Sequence, residues 1–115
     1  MSDKPKITDS HCHLDFPDFN DDLSEVINNA LQNGVCRMVT ICTRLKNEPL
    51  VRKISEDYKA VYYAAGNHPM SVSSEPMANF NELISLSKHP KFIAIGETGL
   101  DYHYTSETAE AQKKS

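Results

Sequence analysis

Four short runs rich in β-branched and apolar residues, Lys6-Ile-Thr-Asp-Ser10, Cys36-Arg-Met-Val-Thr-Ile-Cys42, Ala60-Val-Tyr-Tyr-Ala-Ala65 and Phe92-Ile-Ala-Ile95, alternate along the chain with stretches of helical periodicity. From Asp21 to Asn33, residues Leu23, Val26, Ile27, Ala30 and Leu31 recur at offsets of three and four behind an acidic start, and Gly34 ends the pattern. From Glu48 to Tyr58 the same face carries Leu50, Val51, Ile54 and Tyr58. From Met77 to Lys88 it carries Phe80, Leu83, Ile84 and Leu86, ending before His89-Pro90. Strand and helix alternating in units of about thirty residues specify right-handed βαβ crossovers and a parallel sheet. The fold class is α/β, one domain over residues 1–115, with Ser71–Pro76 as a polar loop and no internal boundary.

The last stretch, Tyr104 to Ser115, reads as a capped helix that stops where the sequence stops. Four parallel strands with no later partner would leave edges and one sheet face bare, so the chain is expected to be interrupted after its fourth strand. Pairing of two such pieces in a homodimer would bury the open edges by symmetry.

With 39% hydrophobic and 24% charged residues the 115-residue chain has a globular composition. The polar start Met1–Lys6 lacks a signal-peptide core, and no run approaches the roughly 18 to 20 apolar residues of a membrane span. A cytoplasmic setting without membrane contact is the expectation. Cys12, Cys36 and Cys42 form no C-x-x-C pair and are odd in number, which argues for buried reduced thiols over a disulfide framework. A net charge of −4 excludes binding nucleic acid mainly through a broad basic surface; any such attraction must be local, from bound metal or a few side chains.

His11-Cys-His13 is the sharpest local motif. Side chains alternate across a strand, so an extended backbone at this point sends both imidazoles to one side and Cys12 to the other, where two neutral rings can share a divalent ion. Asp9 and Asp15 flank the pair, as second acceptors for the rings or as solvated acids. Gly96-Glu-Thr-Gly-Leu-Asp-Tyr102 follows the fourth run, where glycine admits close backbone approach and Glu97 offers two oxygens for bridging; Asp101 otherwise reads as a turn residue. Gly66-Asn-His-Pro69 follows the third run, and His68 there is a substrate contact or a structural histidine. His89, at the opposite end of the units, reads as a surface residue, and nothing in the spacing requires His103 to face the site. His11, His13, His68 and Glu97 all fall just after a strand, and in a parallel β/α array those ends converge on one mouth.

Thr8-Asp-Ser-His-Cys-His-Leu-Asp15, Gly66-Asn-His-Pro69 and Ala94-Ile-Gly-Glu-Thr-Gly-Leu-Asp-Tyr102 together resemble, in order and spacing, the TatD family of metal-dependent hydrolases within the amidohydrolase-like barrels. The resemblance implies the N-terminal half, about four β/α units, of a TIM-type (β/α)8 barrel, a fold of eight strands and roughly 250 residues. It implies His11, His13 and Glu97 as metal ligands, His68 and Asp101 as substrate contacts, and two divalent ions, zinc, magnesium or manganese. The implied reaction is phosphodiester hydrolysis with DNA as substrate; the catalytic base and further histidines lie on strands of the second half, so the chain alone is expected to be inactive. Two positions depart from the pattern: Met70 stands where the family often has a second histidine, and Thr98 where a small or apolar residue is common. The alternatives are another amidohydrolase, a deaminase or cyclic-amide hydrolase, many of which place a modified lysine where Glu97 stands, and a non-catalytic truncated fragment.

Overall fold

The four strands pair in chain order and all in parallel, β1 (Ile7–Cys12) with β2 (Val35–Cys42), β2 with β3 (Val61–Ala65) and β3 with β4 (Phe92–Ile95). The computed structural model describes residues 5–115. Between the strands lie α1 (Leu23–Gln32), α2 (Glu48–Asp57) and α3 (Phe80–Leu86), and the chain closes with α4 (Ala109–Lys114). Order β1-β2-β3-β4 with a helical crossover after each of the first three strands is the arrangement of four successive units of a TIM-type barrel.

Strand alternation sorts residues between the helical layer and the inner face. Met38, Thr40 and Cys42 of β2 and Val61, Tyr63 and Ala65 of β3 are buried. Leu14, Ile27, Met38, Ile54 and Val61 form one apolar cluster under α1 and α2, and Cys42, Val51, Tyr63 and Ala65 form a second nearer the strands' C-terminal ends. Burying side chains of this size is worth roughly 1.5–3 kcal/mol each. The helix start at Glu48 is buried too: its Oε2 accepts from the Tyr63 hydroxyl at 3.2 Å and its Oε1 faces Arg52 Nε at 3.3 Å. Helix α1 stops as the sequence requires, because Gly34 sits at φ +98°, where a side chain would be strained.

The periodicity misjudged α3. That helix spans Phe80–Leu86, shorter than expected, and buries no residue; Phe80 is 76% exposed. Its apolar residues Leu83 and Leu86 are only partly covered, and Ile84 is exposed. Ile93 and Ile95 are likewise more than half exposed, at 53% and 56%. The expected helix after Tyr104 forms as α4, and it is held by Gln112, buried, whose amide donates to Asp101 O and Thr105 O.

Two further expectations change. Cys42 is buried, but Cys12 and Cys36 are only half-buried. His89 is not a bare surface residue: Nδ1 accepts from the main-chain N–H of Lys91, Nε2 meets Glu56 Oε1 of α2 at 3.0 Å, and the ring lies edge-on to Tyr63. Among the described residues, no helix is long and apolar enough to cross a membrane.

Candidate metal centre

Strand β1 continues through His11 and Cys12, so the alternation needed for the H-x-H motif is present. Asp9 aligns with Met38 and Cys12 with Thr40, so β1 carries one extra residue in that interval; bulges of this kind re-aim side chains. Cys12 turns to the helical side, where its Sγ lies 3.5 Å from Val39 O and it packs against the first apolar cluster. Burial, with the Asp9 charge second, pushes its thiol up to about 12, so the middle residue of the motif keeps its proton and faces away from the site. Leu14 N–H donates to Thr40 Oγ1 at 3.0 Å and pins the turn after His13 to β2.

Each imidazole is oriented differently. His13 Nδ1 lies 3.1 Å from Ile41 O, and a carbonyl can only accept, so Nδ1 carries the proton and Nε2 keeps its lone pair free. That is the tautomer and the backbone anchor a metal-binding histidine requires. The His13 ring also stacks on Phe16, with centroids 4.6 Å apart and planes 8° from parallel. His11 stands edge-on to His13 with its Nε2 3.3 Å from Glu97 Oε2. His68 is locked the other way: Nδ1 accepts from the main-chain N–H of Met70 at 3.1 Å, leaving Nε2–H to donate to Glu97 Oε1 at 3.2 Å. One oxygen of Glu97 therefore faces His11 and the other is held by His68.

Glu97 reaches this position because two strand ends approach closely. Gly96 N–H donates to Ala65 O at 3.1 Å, and a Cβ on Gly66 would lie 3.2–3.3 Å from the backbone N, Cα and C of Gly96. The glycine needed for close contact is thus Gly66, whereas a Cβ on Gly96 meets nothing within 4 Å.

Ligand atoms of His11, His13 and Glu97 all lie within 4.8 Å of one another. Two nitrogens and a carboxylate suit zinc, manganese or a similar divalent ion, and a set this open leaves positions for water or substrate. The family profile described as TatD related DNase matches residues 8–115. The chain belongs to that family.

Among curated relatives, an uncharacterized metal-dependent hydrolase of Buchnera aphidicola is 34% identical over 116 residues, covering 93% of this chain and 44% of the relative. The uncharacterized metal-dependent hydrolase YabD of Bacillus subtilis is 33% identical, with 92% and 42% covered. The 3′-5′ ssDNA/RNA exonuclease TatD of Shigella flexneri is 30% identical over 84% of this chain and 37% of that protein. The crystal structure of YjjV, a TatD homologue of Escherichia coli, superposes with a TM-score of 0.80 at 28% identity, covering 94% of this chain and 42% of that one. The chain thus spans less than half the length of these TatD-family relatives.

The remaining expected residues are distributed unevenly. Asp101 lies apart from the three-ligand cluster; its Oδ1 accepts from the main-chain N–H groups of His103 and Tyr104 and shapes the loop before α4. His103 packs edge-on against Tyr104. Asp9 accepts from the His11 main-chain N–H, not from a ring. Asp15 is half-buried, its Oδ1 has no hydrogen-bond partner among the described residues, and burial raises its pKa. Sequence reasoning missed the Phe16 stack, the Ile41 carbonyl and the Gly66–Gly96 approach. Of these only Gly66, beside the Gly66-Asn-His-Pro69 motif, carried a readable signal.

Proposed function

We propose that this chain is the metal-binding first half of a TatD-type hydrolase that cleaves phosphodiester bonds of DNA, with His11, His13 and Glu97 as ligands. The observation that carries the reading is the convergence of these three side chains, from the two outermost strands, within 4.8 Å. When bound, a divalent cation supplies Lewis-acid polarisation of a phosphoryl oxygen and lowers the pKa of a water toward neutrality. His13 and His11 would hold it through Nε2, and Glu97 would offer one carboxylate oxygen while His68 holds the other. A second cation would share Glu97, since a carboxylate can bridge. His68 Nε2–H, once released from Glu97, is also a donor suited to a phosphate oxygen, and Asp101 supports the substrate through the loop it shapes.

The nuclease reading draws support from the family match and from the exonuclease relative's name; the glutamate at position 97 disfavours the deaminase and cyclic-amide alternatives. The base expected from a later strand is not among residues 1–115, so we propose that the chain alone is inactive. The free thiols of Cys12, Cys36 and Cys42 support a reducing, cytoplasmic setting, and the exposed Ile93 and Ile95 offer a face that a second copy in a homodimer would cover.

Titration with zinc and manganese tests the metal centre: the chain binds one or both, and His11→Ala or Glu97→Ala weakens binding at least about tenfold. Unchanged affinity in both variants refutes the ligand set. A labelled single-stranded oligonucleotide incubated with the metal-loaded chain tests the predicted inactivity, and hydrolysis lost in His11→Ala overturns it.

A further inference from the structure

Beside the triad, the first three strand-to-helix connections enclose an open groove of about 640 Å³, lined by residues of each. A groove of that volume lies in the range that takes a small organic ligand. Its lining includes His13 and Phe16 after β1, Arg44 and Leu50 after β2, and His68 and Met70 after β3. Three of these are large, apolar and exposed, Phe16 at 42%, Leu50 at 51% and Met70 at 49%. Exposed apolar side chains contributed by three separate segments to one concavity mark a surface made for contact.

The polar groups fix what kind of contact. Phe16 already stacks face-on against His13, so its ring is held in one plane by a neighbour that is itself anchored to Ile41 O. Arg44 lines the groove with its side chain nearly half exposed, and its ion pair to Glu75 Oε1 is long at 3.6 Å. Lys46 meets the same oxygen at 3.2 Å, so Glu75, almost fully buried, stays neutralised when Arg44 leaves it. The Arg44 contact is the longer of the two on that oxygen, so the half-exposed guanidinium can turn to a better anion while Lys46 stays on Glu75.

We propose that this groove is a subsite for one nucleotide of a single-stranded nucleic acid, its base against Phe16 between Leu50 and Met70 and its phosphate on Arg44. A held aromatic ring takes a base by stacking, and a planar guanidinium takes a phosphate by paired hydrogen bonds. A duplex does not fit this description, because a base must leave its stack to reach Phe16. The inference rests on the nucleic-acid reading above and assigns the residues that position the strand. Phe16, Arg44, Leu50 and Met70 touch no reacting atom in this role; they are positioning residues. All of them lie on the present chain, so the subsite is testable without the rest of a barrel.

The test uses the full 115-residue chain and three probes: thymidine 5′-monophosphate, thymidine and inorganic phosphate, each followed by amide NMR shifts and titration calorimetry, without added metal. The monophosphate is expected to shift amides of residues 13–20, 43–50 and 68–71. Phe16→Leu weakens thymidine and its monophosphate about tenfold and leaves phosphate unchanged, while Arg44→Gln weakens the monophosphate and phosphate about tenfold and leaves thymidine unchanged, the size expected of one stack or one charged contact. Far-UV circular dichroism confirms that both variants fold; should Phe16→Leu unfold, the Arg44→Gln arm and Leu50→Ala, expected to weaken thymidine alone, carry the test. The inference is overturned by shifts that map elsewhere, by no shift at all, or by variants that weaken all three probes equally. A parallel zinc titration separates the two readings: zinc uptake with no nucleotide shift leaves the metal centre standing and removes the subsite, whereas nucleotide shifts without zinc uptake do the reverse.

Discussion

Gly66→Ala should damage both the fold and the metal centre, and Gly96→Ala should do neither. A Cβ on Gly66 would sit 3.2 Å from Gly96 N and 3.3 Å from its Cα and C. These are backbone atoms whose neighbouring N–H is committed to Ala65 O at 3.1 Å, so the strain cannot be relieved by turning a side chain. Relief must come from moving the ends of β3 and β4 apart by a few tenths of an ångström, and overpacking of that kind costs about 1–3 kcal/mol. For a chain of this size that lowers Tm by on the order of 5–10 °C. The same displacement is passed to Glu97, whose two carboxylate oxygens lie 3.3 and 3.2 Å from His11 and His68. At Gly96 the added methyl meets nothing within 4 Å, and stability should stay within about 1 kcal/mol of the parent. Urea unfolding of the three proteins measures the first effect and zinc titration the second. Equal stability and equal zinc affinity in the two variants would refute the claim that the close approach at Gly66 sets the position of Glu97.

His68→Ala removes the donor on Glu97 Oε1 and should lower zinc affinity about 10- to 100-fold with little change in unfolding free energy; an unchanged titration would show that Glu97 orients itself. Glu48→Ala strips the buried Tyr63 hydroxyl of its acceptor, while Arg52, being 40% exposed, rehydrates, so the cost in urea unfolding is about 2–3 kcal/mol rather than the full value for a broken buried pair. Cys12 and Cys42 are pushed from 9.0 up to about 12, in both cases chiefly by burial. The native thiols hold their protons where the unfolded ones release them, so stability from this source is intact below pH 9 and is lost as pH rises from about 9 to 12; Cys12→Ser together with Cys42→Ala should flatten that part of the stability profile.

The strands were legible because apolar, β-branched runs at regular spacing leave few alternatives, and β2 to β4 fall within a residue of the expected positions. That His11 and His13 could face one side was legible because side chains alternate along a strand, and β1 does continue through His11 and Cys12. What the pattern did not carry was supplied by main-chain partners, near and far in sequence. The tautomer of His13 depends on the carbonyl of Ile41 and that of His68 on the Met70 N–H, and main-chain groups leave no trace in residue identity. The β1 bulge is invisible for the same reason, since it is a register relation to β2. Helix α3 failed in the opposite direction: its apolar stripe is real, but a stripe predicts burial only where a neighbouring layer exists. His89, read as a surface residue from its place at the opposite end of the units, is partly covered by contacts with Tyr63 and Glu56 that its local sequence does not show.

Strand order alone would not bring His11 to Glu97. They extend from β1 and β4, the two edges of the sheet, and three inter-strand spacings of about 4.8 Å would separate those edges by roughly 14 Å if the sheet were flat. The observed 3.3 Å between Nε2 and Oε2 therefore requires the sheet to curl toward its inner face, with the side chains spanning what remains. That curl belongs to this chain. The buried clusters under α1 and α2, the bulge in β1 and the register shift between Tyr63 and Ala64 where β4 joins β3 all lie within it. His11, His13 and Glu97 are gathered within the described residues, while Ile93 and Ile95 of β4 stay more than half exposed. Metal binding should accordingly be measurable in this chain by itself, because the geometry that brings His11 Nε2 within 3.3 Å of Glu97 Oε2 is already present.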